Sequence, residues 1–221
     1  MNLTNLNGDD TDDVIARLID KAVLAYPELF VFILPELLQL NVIYFRDIIH
    51  YCYLLLLETK LVVEDGADES DIVISRDAAL QQDWTRICKE VSTLKCVCGS
   101  KCMKTILAIG ELRNELNIYR ASWAVMLAGS DFIKTSTGNE TVNATVQAVY
   151  IICHAIKQFY CRTGKMVGFK ASGGIRTTHE AVKYLSIVEE ILGTNWLKPS
   201  LFRIGASTLL DNVVRTLNCS Y

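Results

Sequence analysis

Two short stretches of the chain end an apolar run on a lysine and then break into small, polar, glycine-containing sequence. They are Gly129-Ser-Asp-Phe-Ile-Lys-Thr-Ser-Thr-Gly138 and Val167-Gly-Phe-Lys-Ala-Ser-Gly-Gly-Ile-Arg-Thr177. Ser, Thr and Gly after a hydrophobic run mark a loop, so each lysine reads as the carboxyl end of a strand. Lys134 and Lys170 lie 36 residues apart, about the length of one strand–helix–strand unit, which takes roughly 30 residues or more. Such a unit lays its strands parallel, and neighbouring strands run about 4.8 Å apart. Two ammonium groups would then stand side by side at one end of a parallel sheet. A cation beside an amine disfavours its protonation, and a neutral amine attacks carbonyls to give a Schiff base. The plain alternative is two unrelated surface lysines. The matched spacing and the glycine loops favour chemistry.

Other groups suit the same site. Asp71-Ile-Val-Ile-Ser-Arg76 reads as a strand, and alternation puts Asp71, Val73 and Ser75 on one face, Ile72, Ile74 and Arg76 on the other. A charged Asp in an interior layer is costly unless paired. The lysines supply partners, so Asp71 is expected as an ion-pair member or a proton-transfer group. Gly173-Gly174 follows one strand; Gly205-Ala-Ser207-Thr208 follows the next and opens a helix. Glycines let backbone N–H groups approach a ligand, and a helix N-terminus favours an anion. Arg176 adds a charge-assisted hydrogen bond. Ser136, Thr137 and Gly138 are expected to border the same mouth. Glu111 reads as a solvated loop carboxylate. His50, His154 and His179 fall outside the strand ends, and Trp84, Trp123 and Trp196 read as packing residues. Neither a dinucleotide fingerprint nor a P-loop is present.

The elements that must position these groups follow from periodicity. Residues 2–6 read as a short strand, and Asn7-Gly-Asp-Asp-Thr-Asp as a turn with capping residues. Val14, Ile15, Leu18, Ile19 and Ala22 make 12–25 an amphipathic helix, stopped at Tyr26-Pro27. Residues 28–59 are strongly apolar. Pro35, Glu36, Arg46 and Asp47 interrupt them, so a buried strand plus buried helices is expected there. A membrane span would need about 20 apolar residues with few charges. Beyond residue 60 a helix ends at 61–65, with Gly66 as its stop. Strands are expected at 71–76, 104–109, 131–134, 166–170 and 201–205. Helices are expected at 78–93, 114–128, 141–162, 178–192 with a Thr177/Thr178 cap, and 207–217. Five strands alternating with helices imply a parallel sheet. The first strand and two from 28–59 would bring the number to eight, in one domain over 1–221.

Composition bounds the partners. The 221 residues carry a net charge of −3, with no basic tail, so nucleic acid is not implied. The polar opening has no signal-peptide pattern, so the eight cysteines are expected reduced, in the cytoplasm. Cys96, Cys98 and Cys102 have a C-x-C-x₃-C spacing that is not a zinc pattern, and no nearby His completes it. No metal is expected.

Phe132-Ile-Lys-Thr-Ser-Thr-Gly138, Val167-Gly-Phe-Lys170 with Gly173-Gly-Ile-Arg-Thr177, and Phe202-Arg-Ile-Gly-Ala-Ser207 closely resemble the deoxyribose-phosphate aldolase family, most like its animal members. The similarity runs from about Lys60 to Leu210 and over Leu3 to about Pro27. It fails between roughly Glu28 and Thr59, where the second and third barrel strands should stand. The resemblance implies a TIM (β/α)₈ barrel, irregular around strands 2 and 3. It implies a class I aldolase that cleaves 2-deoxy-D-ribose 5-phosphate without metal or cofactor, and leaves a homodimer open. Lys134 matches the family's Schiff-base lysine. Lys170 matches the lysine that lowers its pKa, Asp71 the aspartate of the proton relay, and Lys104 a lysine bordering the site. The sequence departs from the family in having Asn139 for a lysine, Ala171 for a proline in what reads as a loop, Ser75 for an asparagine, Ile109 for a threonine and Asn2 for an aspartate. Two alternatives stand beside the aldolase: an inactive relative kept as a binding or scaffold protein, and another Schiff-base phosphosugar barrel of transaldolase type.

Overall fold

The computed structural model describes residues 45–138 and 140–219, with side chains except those of 45–53 and 219. The features expected over 1–44, together with Asn2 and Asn139, lie outside the described residues. The chain divides into two compact units, Met1–Leu61 and Val62–Tyr221. The described part of the first is helical and belongs to α1 (Phe45–Glu64). Within it Thr59 is buried, and its hydroxyl donates to the Leu55 carbonyl at 2.7 Å, which satisfies the polar atom inside its own helix. Among the described residues no helix is long and apolar enough to cross a membrane.

The second unit alternates strand and helix. In order it holds β1 (Glu69–Val73), α2 (Arg76–Leu80), α3 (Trp84–Cys98), β2 (Cys102–Ile106), α4 (Glu115–Leu127), β3 (Phe132–Lys134), α5 (Val146–Thr163), β4 (Gly168–Ser172), α6 (Thr178–Leu192), β5 (Phe202–Gly205) and α7 (Leu209–Cys219). The five strands are all parallel, in the order β1-β2-β3-β4-β5. This is an α/β fold whose strands follow one another around the sheet, the order of a barrel wall. Outward-facing Ile72, Met103, Ile133, Phe169 and Ala171 are buried, as are the sheet-facing Ile87, Val91, Val125, Ile152, Ile156 and Val188 of the helices.

Local chemistry moves several boundaries from the expected ones. β1 lies two residues early because Ser75 already stands as the N-cap position of α2. The helix expected at 78–93 is two helices. Gln82 turns left-handed at φ 60°, and the Asp83 side chain accepts the Arg86 N–H at 3.0 Å to start α3, an N-cap with its own new axis. β2 ends at Ile106, and Ile109–Glu111 forms a 3₁₀ turn instead of strand. α5 begins at Val146, not 141, because Thr145 caps the Ala148 N–H. β4 runs two residues later than expected, so Lys170 is mid-strand and Ala171 lies inside the sheet, buried, and not in a loop. Thr177 caps α6 as expected, in a full capping box with Glu180.

The sheet is strongly curved. In a flat sheet β1 and β5 would lie about 19 Å apart, farther than an arginine and a glutamate can span together. Yet Arg203 on β5 donates to Glu69 Oε1 on β1 at 2.6 Å. The inner face therefore closes on itself, and side chains from all five strands meet.

Candidate active site

Alternation sends Glu69 and Asp71 of β1, Lys104 of β2, Lys134 of β3, Lys170 of β4 and Arg203 of β5 to the inner face. The register sets Asp71 beside Lys104 and Lys134 beside Lys170. Both Lys134 Nζ and Lys170 Nζ donate to Asp71 Oδ2, at 2.8 and 2.9 Å. Lys104 Nζ donates to Oδ1 at 2.9 Å and meets Glu69 Oε2 at 2.8 Å. Glu69 in turn takes both terminal nitrogens of Arg203, whose guanidinium lies 5.1 Å over the Phe132 ring.

The electrostatics follow from these contacts. Burial alone raises the Asp71 carboxyl. Hydrogen bonds from Lys134, Lys170 and Lys104 outweigh it and hold Asp71 well below the usual carboxylate range. The Arg203 guanidinium first, then Lys104, lower Glu69 to about 2. Lys104 is almost fully buried, which alone would depress its ammonium, but hydrogen bonds to Glu69 and Asp71 raise it. Lys104 is therefore a fixed cation, not an attacking amine.

The structure thus brings together Lys134, Lys170, Asp71 and Lys104, and gives Asp71 the ion-pair role expected of it. Lys104 was expected at its strand's start, as a lysine bordering the site. It sits mid-strand instead and is engaged by two carboxylates. Sequence reasoning missed Glu69 and Arg203. The signal was there: each lies two residues from an inward position, Asp71 or Gly205, so period two alone points it inward.

The residues expected to bind an anion lie on a rim of loops. Gly173 N–H donates to the Gly205 carbonyl at 3.2 Å, which joins the loops after β4 and β5. Gly173 has φ 85°, and a Cβ there would stand 2.3 Å from Asn143 Oδ1. Gly174, Gly138, Ser207 and Thr208 are exposed, the last two just before α7. Arg176 is exposed too; its N–H donates to Glu180 Oε2 and its carbonyl accepts from Asn212 of α7, at 2.8 and 2.7 Å. Ser136 differs from expectation: it is fully buried, and its hydroxyl is directed to the Ser172 carbonyl at 2.5 Å. Glu111 pairs with Arg76 at 2.7 Å on the surface.

Comparison with known proteins gives the same answer. Residues 40–212 match the DeoC/LacD family aldolase. A Caenorhabditis elegans protein provisionally named deoxyribose-phosphate aldolase is 46% identical over 98% of this chain and 79% of its own length. The Mus musculus and Homo sapiens deoxyribose-phosphate aldolases are 51% and 50% identical over 72% of the chain. The chain spans about half the length of these two mammalian relatives. A crystal structure from Toxoplasma gondii ME49, provisionally described as the same enzyme, superposes with a TM-score of 0.67 at 27% identity, over 74% of this chain and 64% of that one. By sequence match and by fold, the chain belongs to the DeoC/LacD family of aldolases.

Proposed function

We propose that the chain cleaves 2-deoxy-D-ribose 5-phosphate to D-glyceraldehyde 3-phosphate and acetaldehyde through a Schiff base on Lys134. One observation carries the chemistry: Lys134 and Lys170 converge on a single oxygen of Asp71. The substrate rests on the names of the relatives. The neutral Lys134 amine attacks the aldehyde carbon of the open-chain sugar, and loss of water gives an iminium. The iminium draws the electron pair of the C2–C3 bond as that bond breaks. The C3 hydroxyl gives up its proton, and C3 leaves as the aldehyde of glyceraldehyde 3-phosphate. The enamine left on Lys134 takes a proton at carbon, and water releases acetaldehyde.

Asp71, Lys170 and a water molecule carry the protons. Asp71 is a weak base while three ammonium groups hold it. At the neutral amine and carbinolamine stages Lys134 no longer contributes its charge, so the carboxylate's proton affinity rises when a proton must be moved. Gly138, Gly173, Gly174, Gly205, Ser207, Thr208 and Arg176 receive the 5-phosphate. The partner is then a phosphosugar in the cytoplasm, with no nucleic acid or membrane engaged.

The test is reduction of the intermediate. Protein incubated with acetaldehyde and borohydride should gain a reduced adduct at Lys134, read by peptide mass, and Lys134→Met should gain none there. A folded sample without the adduct overturns the proposal and leaves a phosphate-binding scaffold. Turnover of a keto-sugar phosphate in preference to deoxyribose 5-phosphate would instead indicate a transaldolase-type enzyme.

A further inference from the structure

We propose that Glu69 is a positioning residue for the lysine cluster, holding Lys104 against Asp71 and, through Arg203, fixing β1 against β5. This rests on the function proposed above. Lys104 is buried, and its ammonium is shared between Glu69 Oε2 at 2.8 Å and Asp71 Oδ1 at 2.9 Å. Asp71 uses its other oxygen for Lys134 and Lys170. The orientation of that second oxygen therefore depends on the first staying on Lys104. Glu69 keeps Lys104 in place from the opposite side, and Arg203 orients Glu69 by binding both of its oxygens. The cluster holds Lys104, Lys134, Lys170 and Arg203 against Glu69 and Asp71, four cations to two carboxylates. Cys102 is the other titratable group close to Glu69, Arg203 and Lys104, and burial raises its thiol, so it adds no charge. Loss of Glu69 leaves Lys104 with one carboxylate in place of two. Asp71 then swings toward Lys104, and the oxygen shared by the two reacting lysines moves.

The experiment uses Glu69→Gln, Lys104→Met and the double variant, each checked for fold by circular dichroism. Glu69→Gln is expected to lower kcat at least 10-fold with KM within 3-fold. The double variant should be no more than 3-fold worse than the weaker single one, because both act through the same contact. The acid limb of the kcat/KM profile should move to lower pH, because a cluster with one carboxylate fewer releases a proton more readily. That limb belongs to the cluster and not to one lysine. A folded Glu69→Gln protein with unchanged kcat overturns the inference, and so do losses that multiply in the double variant. Reductive methylation with formaldehyde supplies a readout independent of turnover. Lys104 should label at least 5-fold faster in Glu69→Gln than in the unaltered protein. Equal labelling overturns the positioning role even in a protein that forms no adduct with acetaldehyde, whereas missing adduct with accelerated labelling overturns only the aldolase function.

Discussion

Asp71 is the residue on which the three lysines depend. Lys104 and Lys134 are buried, whereas the Asp71 side chain is partly open to solvent, so the cost of losing it falls between that of an exposed pair, about 0–1 kcal/mol, and that of a fully buried one, about 3–5 kcal/mol. Asp71→Asn keeps the shape and removes the charge from beside three ammonium groups. It is expected to lower unfolding free energy by about 1–2 kcal/mol in urea titrations, and to reduce turnover by about 100-fold as the proton path is lost. A protein as stable as the original would show that the three contacts hold nothing together. Glu69 adds a pH signature. Its folded value falls from 4.5 to about 2, so its pairing stabilises the fold fully above pH 4.5 and loses that effect as pH drops through 2. Urea midpoints of the unaltered and Glu69→Gln proteins should differ at neutral pH and converge near pH 2. The pair Lys134 and Lys170 was legible in the sequence because each follows an apolar run and precedes glycine. For Glu69 and Arg203 period two gives the inward direction, but nothing in a single strand reveals which strand will face it across the interior, so their pairing was not legible.

At the scale of elements, the loops after β3 and β4 meet where Gly173 stands against Asn143, a contact that leaves no room for a side chain. Gly173 has φ 85°, which disfavours any residue with a Cβ, and Asn143 Oδ1 would lie 2.3 Å from that Cβ. Gly173→Ala should therefore shift the rim against β5 and raise KM for a phosphorylated substrate at least 10-fold, with a smaller effect on kcat. A larger loss in kcat would place this loop at the reacting carbon instead. Gly168 meets the Phe132 ring at 2.4 Å from an added Cβ, so Gly168→Ala overpacks the inner face beneath the lysines and should cost about 1–3 kcal/mol, read as a lower melting temperature. The alternation of five strands with helices was plain from periodicity, and so was the Thr177 cap. The boundaries were not, for a physical reason. Asp83 and Thr145 each open a helix by taking a backbone N–H, and either residue could equally have sat in a helix or loop until its partner was known. Ala171 read as loop because the glycines follow it closely, whereas pairing with Ile204 of β5 extends β4 to Ser172.

For the second unit as a whole, curvature and charge are one fact. A sheet with consecutive parallel strands can bring β1 to β4 and β5 only by closing around its inner face, and that face carries six charged side chains beside the apolar Val73, Ile106 and Phe132. Four cations against two carboxylates leave a surplus of two positive charges facing inward, although the chain itself carries −3. A low-dielectric wall screens such a surplus less than water does, so it attracts anions from solution. The expected consequence is selectivity for a phosphate ester. Deoxyribose 5-phosphate should bind at least 10-fold better than deoxyribose, and the ratio should shrink as salt rises, because the screening length falls from about 30 Å at 0.01 M to about 3 Å at 1 M. Glu69→Gln raises the surplus to three and should steepen that salt dependence, whereas Lys104→Met lowers it to one and should flatten it. A phosphate preference indifferent to salt in all three proteins would mean that the loop N–H groups recognise the ester alone, and that the buried ions serve only to hold the strands and the attacking amine.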